Sequence, residues 1–338
     1  MRVFAALDPR LPLSQVPAVA RRMEALGFDG IHIPETIHDS FAVALLAAEH
    51  TSRITVRTAI TLAFVRSPTL VAYSAWDLAS FSGGRFELGL GTQIKQNIED
   101  RYAMPWTEPV GRMGEYVEAV RELFAAFASG ESVRYEGDHY RLTRMQPYFN
   151  PGPSEMAAPP VLLGAVNTGM CTLAGRLADG VITHSTNADP GYLRDVVRPA
   201  LMAGAVEGAR ATPPIYASAP VATGASAELV NRERERMRRL LAFLYSTPSY
   251  KPTLVRLGLP ELFDRLRELT RAQRWDRLSA VMTDDVLDTL LVCGDYAALP
   301  GLLWERYGGL ADGVVMAAPA DDGADDRLRK AIEELRSK

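Results

Sequence analysis

Short apolar runs of four to seven residues alternate along the whole chain with longer segments whose apolar positions recur at helical spacing. The short runs read as buried strands and the longer segments as helices covering them, so the alternation predicts a parallel sheet. The expected strands cover residues 3–7, 31–34, 55–60, 86–90, 161–164, 180–183, 215–221 and 313–316. Expected helices include 13–26, 41–49, 68–81, 169–177 and 190–207, with a last helix over 325–335. Eight such strands are what a closed (β/α)8 TIM barrel of the α/β class needs.

Two stretches exceed a minimal barrel. Residues 131–158 suggest a short hairpin around Glu136-Gly137-Asp138 and then a proline-rich loop, and residues 226–291 form a helical insertion before the last strand. Insertions on the ligand-binding face of a barrel often act as lids or substrate walls, and the Ser-, Pro- and Tyr-rich stretch 246–260 is the expected mobile lid; a purely structural helical pair fits 226–245 equally well. Residues 1–338 are thus read as one barrel domain.

Composition narrows the partner. With 338 residues, 47% hydrophobic, the chain can bury one large core, and a formal charge of −4 argues against a nucleic-acid groove or an anionic membrane surface. A small molecule is the expected partner. Cys171 and Cys293 form no CxxC pair, so neither a metal site nor a disulfide framework is expected. The N-terminus lacks a leader pattern and no run of about 18 apolar residues occurs, so the expected location is the cytoplasm.

Barrels place their chemistry just past the carboxyl ends of the strands. There the second strand runs into Glu35, Thr36, Ile37 and His38, where His38 suits proton transfer near neutral pH and Glu35 suits accepting a hydrogen bond. Asp39 or Ser40 capping the next helix, with His38 in solvent, is the competing account. The glycine-rich turn at 89–93, with Gly91, Thr92 and Gln93, would let a flat ring or a phosphate approach the backbone. Gly164 leads through Asn167, Thr168, Gly169 and Met170 into a helix whose first amides suit a phosphate. His184 is a third strand-end candidate, whereas His32 and His139 read as structural. There is no GxxxxGK[ST], GxGxxG, GxSxG or HExxH, so a bound cofactor is expected to carry the chemistry.

Four segments in register carry a family likeness: Pro34-Glu35 at the end of the second strand, TAITLAFVRSP at 58–68, DLASFSGGRFELGLGTQ at 77–93 and AGRLADGVITH at 174–184. Together they resemble the bacterial luciferase-like superfamily, specifically its coenzyme F420-dependent oxidoreductases. The resemblance implies a barrel that holds a deazaflavin or flavin at its open end, with hydride passing between C5 of the ring and a small organic substrate. It implies a non-proline cis peptide at Ala59-Ile60, forming a bulge behind the ring. Gly91, Thr92, Gln93 and Asn97 would line the ring edge, Glu35 would sit near its polar side, and the Asn167 to Met170 amides would hold the phosphate. It also implies a homodimer through helices 41–49 and 68–81. Sugar-phosphate dehydrogenases of this group carry a catalytic His where this chain has Thr36, so His38 or an ordered water is the expected proton carrier, and a sugar phosphate is not the expected substrate. The rival expectations are a monooxygenase using reduced FMN and a cofactor-binding protein without catalysis.

Overall fold

The computed structural model describes residues 1–320 and 323–338. Eight parallel strands follow one another as β1 (Arg2–Ala6), β2 (Gly30–Ile33), β3 (Thr55–Thr58), β4 (Phe86–Gly91), β5 (Val161–Gly164), β6 (Gly180–Ile182), β7 (Ile215–Ser218) and β8 (Gly313–Ala317). With helices in the connections they form a closed parallel barrel, the (β/α)8 fold. All four residues of β2 are buried, as expected of a strand covered on both faces.

The chain divides into two compact units. The first, residues 6–182 and 200–214, holds β2 to β6, paired in chain order. Ile31 lies opposite Val56, Val56 opposite Phe86, Leu88 opposite Val161 and Leu163 opposite Val181. Three of its helices start at polar caps: Asp39 accepts the Phe41 and Ala42 amides, Ser67 the Leu70 amide ahead of Pro68, and Asn167 the Met170 amide. Tyr135–Glu136 and Arg141–Leu142 form the expected hairpin.

The second unit, residues 1–5, 183–199 and 215–338, holds β1, β8 and β7 in that spatial order. The insertion within it is helical, led by Ala227–Tyr245 and Pro260–Arg271, and buries its own core around Leu241, Leu254, Leu266 and Leu287. Residues 246–260, the expected lid, are mostly helical: Pro248 opens Pro248–Tyr250 and Pro252 is the second residue of Lys251–Arg256, and a proline fits a first helical turn because no N–H is needed there.

Two expected strands are shorter than the apolar pattern suggests. The run at 55–60 stops at Thr58 and resumes as Thr61–Leu62, which pairs with Leu90 and Gly91 across the interruption at Ala59-Ile60. The run at 215–221 breaks before Pro220, which has no N–H for the ladder. Val221–Ala222 instead pairs with Val292–Cys293 in a separate two-stranded sheet. The helix at 190–207 contains a wider turn at Leu193–Val197, and the helix Leu299–Tyr307 had no counterpart in the apolar pattern.

Candidate active site

The Ala59-Ile60 peptide is cis, and around it three glycines have identifiable neighbours. A Cβ on Gly89 would lie 2.0 Å from the Thr58 carbonyl oxygen, so no side chain fits there. A Cβ on Gly91 would lie 2.5 Å from Ile60 Cδ1, and one on Gly164 would lie 2.9 Å from Ile60 Cγ2. Ile60 therefore fills the hollows that the glycines of β4 and β5 leave open. Ala59, Ile60, Thr92, Gln93 and Gly164 are partly exposed, whereas Thr58, Thr61 and Leu90 beside them are buried. The strand ends thus open onto a surface that is apolar at Ile60 and polar at Thr92 and Gln93.

Gln93 adopts a left-handed backbone (φ 63°), a conformation that costs a non-glycine residue about 1 kcal/mol or more. Two hydrogen bonds fix the turn: the Thr92 hydroxyl donates to the Gln93 carbonyl (2.9 Å), and the Ile94 amide donates to Gln93 Oε1 (3.0 Å). Asn97 follows, half-buried, at the start of one wide helical turn.

A network brought together from two strand ends lies beside this surface. Arg66 Nη1 and Nη2 donate to Glu35 Oε2 (2.8 Å) and Oε1 (2.5 Å), and Nη2 also reaches Asp39 Oδ2 (2.6 Å). The Leu62 amide donates to Glu35 Oε2 (2.7 Å), and the Ser40 amide to Oε1 (3.4 Å). Glu35 is 8% exposed, and these donors from the chain occupy its acceptor directions. Burial works against the Arg66 charge, yet the Glu35 and Asp39 carboxylates outweigh it and hold the guanidinium above its ordinary value. Partial burial likewise raises the Asp39 carboxyl, but Arg66 and the Ala42 and Phe41 amides prevail and keep it below the usual range. Arg66 did not figure in the sequence reading. It lies inside the segment TAITLAFVRSP, as a lone cation between an apolar stretch and a helix cap.

Between the two carboxylates, Thr36 donates to the Pro9 carbonyl (3.4 Å) and its own carbonyl accepts from Arg101 (2.5 Å). His38 is half-buried and makes no hydrogen bond to any described residue. Asp39 is the helix cap, as one of the two accounts held. Behind this loop, Phe64 packs under the Arg112 guanidinium (4.3 Å) and against Trp106 (5.8 Å between ring centres).

At the end of β5, Asn167, Thr168 and Gly169 are exposed. The Met170 amide is already taken by Asn167 Oδ1 (3.0 Å), so Thr168 and Gly169 carry the amides still open to an anion. His184 belongs to the second unit, where it stacks on Tyr250 (4.8 Å, 5° between planes) and its Nδ1 lies 2.8 Å from Thr186 Oγ1. Burial pushes its pKa down to about 4, so the ring is neutral at pH 7. His32 sits in the barrel wall with Nε2 2.9 Å from Arg57 Nη1. Cys171 and Cys293 are free, and burial pushes the Cys171 thiol up to about 12. Among the described residues, no three or more His, Cys, Asp or Glu are grouped to hold a metal, and no helix is long and apolar enough to cross a membrane.

An eight-stranded parallel barrel with its polar loops and bulge at the strand ends defines the class. Over residues 1–300 the chain matches the luciferase-like monooxygenase family, and it belongs to that family. An uncharacterized protein of Mycobacterium tuberculosis is 36% identical over 313 residues, covering 91% of this chain and 92% of the relative. The F420-dependent glucose-6-phosphate dehydrogenase of Nakamurella multipartita is 30% identical over 211 residues, covering 58% of this chain and 59% of its own. Among solved structures, the coenzyme F420 dependent tetrahydromethanopterin reductase from Methanopyrus kandleri superposes with a TM-score of 0.80 at 20% identity, covering 99% of this chain and 98% of its own. The chain is thus related to F420-dependent oxidoreductases.

Proposed function

We propose that the protein is an F420-dependent oxidoreductase acting on a small organic substrate. The observation that carries this reading is the surface at Ala59-Ile60, where Ile60 fills the hollows of Gly91 and Gly164 and presents a partly exposed apolar floor suited to a planar ring. The polar edge of Thr92 and Gln93 and the two open amides at Thr168 and Gly169 fit the remainder of such a cofactor, a ring edge and a phosphate. When bound, F420 supplies hydride chemistry at C5.

The chain's own residues bind, orient and carry the proton. Ile60 would support one face of the ring, Gln93 and Thr92 would meet its edge, and His38, which makes no hydrogen bond to any described residue, would take up or release the proton at its imidazole. Glu35, saturated by Arg66 and two amides, braces the loop. A homodimer would use the exposed Leu45, Leu70 and Phe81 of helices Ser40–Glu49 and Pro68–Phe81.

Isothermal titration of the purified protein with oxidised F420 and, separately, FMN tests the reading. Tighter binding of F420 by about tenfold or more, roughly 1.4 kcal/mol, is the expected result. Tighter binding of FMN would replace it with a monooxygenase reading, which the family's name also favours. Loss of the bound-state activity in His38→Ala separates an enzyme from a protein that only holds the cofactor.

A further inference from the structure

One guanidinium closes the loop that carries His38. Glu35 and Asp39 flank this histidine, and Arg66 holds both, Glu35 through two nitrogens and Asp39 through Nη2. The segment bearing Arg66 begins directly after the Ala59-Ile60 bulge and is itself anchored. Its Leu62 amide donates to Glu35, Thr61 Oγ1 lies 2.8 Å from Ser40 Oγ, and the Tyr116 hydroxyl donates to the Arg66 carbonyl (3.3 Å).

We propose that Arg66 is a positioning residue, a staple that fixes the His38 loop against the segment following the bulge. The part of this that concerns His38 chemistry rests on the oxidoreductase reading above; the staple itself does not. The chemistry is specific to a guanidinium, because a planar fork can face three oxygens of two carboxylates at once, whereas an ammonium on a flexible stem is a point charge. Without the cation, two carboxylates four residues apart repel each other and the loop loses its closure.

Hydrogen exchange of the purified full chain, read by mass spectrometry on peptides covering residues 35–42, tests the staple. Arg66→Lys and Arg66→Ala are expected to speed exchange of these amides by about tenfold, with helix content retained. Millimolar guanidinium should slow the Arg66→Ala protein again, and methylammonium should not. Exchange in Arg66→Lys equal to wild type, or rescue by both cations alike, would overturn the proposal. If both variants fail to fold, Asp39→Asn decides. Asparagine keeps the helix cap and loses the charge facing Arg66, so faster loop exchange supports the staple and unchanged exchange overturns it. Titration with F420 forms a separate arm: weaker binding by Arg66→Lys links the staple to the cofactor surface, while a wild type that binds no F420 sinks the oxidoreductase reading and leaves the exchange result to judge the staple.

Discussion

Two charged clusters of this chain are inversions of one another. In the first unit one guanidinium, Arg66, serves two carboxylates, Glu35 and Asp39; in the insertion one carboxylate, Asp284, serves two guanidiniums, Arg234 and Arg238, which also pair with Asp288 and Glu235. The contacts are similar, with Arg238 lying 2.5 Å from Asp284 as Arg66 does from Glu35. Solvent separates them, since the Glu35 side chain is 6% exposed and that of Asp284 is 73% exposed. A pair near water is screened and contributes little, whereas removing one partner of a buried pair strands the other in a poor solvent for charge. Distance alone therefore says little about which cluster organises the molecule.

The sharpest way to break the comparison is Glu35→Gln, which should lower the unfolding free energy by about 3 kcal/mol in urea titrations, because it leaves the half-buried Arg66 with only the exposed Asp39. A loss below about 1 kcal/mol would place both clusters in the same class.

A second prediction concerns burial that is met by neutrality instead of pairing. His184 has an ordinary pKa of 6.5 and a folded value near 4, so between those values the unfolded chain binds the extra proton and the folded one does not. Stability should therefore be unaffected by this group above about pH 6.5 and fall as pH drops toward 4, by on the order of 2 kcal/mol after allowing for partial exposure. Melting His184→Asn alongside wild type across this range measures it: the variant should lose that slope, and parallel curves would remove His184 as its source.

The smallest effect belongs to Asp284→Asn. Its carboxyl is held below the usual range first by Arg238 and then by Arg234, yet it stands in solvent. The melting point should barely move, and any difference from wild type should vanish at about 1 M salt. A large, salt-resistant loss would show that exposure misjudges this cluster.

How much was legible in the sequence differs between these regions for physical reasons. Periodicity reports burial, so β5 and the helix Pro68–Phe81 fall where the apolar pattern puts them. It does not report where a ladder must stop: the strand expected at 215–221 ends because Pro220 cannot donate, a signal present in the residue but outweighed by the apolar run. In the 246–260 stretch, the expected lid, Pro248 and Pro252 fall in the first turns of short helices, so the residue type that stops a strand at 220 helps to open helices here. Glu35 and His38 could be picked out because they follow a strand, whereas the partner of Glu35 lies 31 residues away, and nothing local to Arg66 names it. The cis peptide at Ala59-Ile60 came from family likeness and not from composition or spacing.

Ile60 carries a consequence for anyone reshaping this barrel. Because its branches occupy the room left at both Gly91 and Gly164, these three positions on three neighbouring segments share a single volume and behave as one interchangeable part. A redesign that enlarges either glycine alone must displace the Ile60 side chain to make room for the new methyl group. Trimming Ile60 first releases space on two strands at once, so the floor of the opening can be recontoured by trading atoms within this trio while the surrounding wall stays as it is.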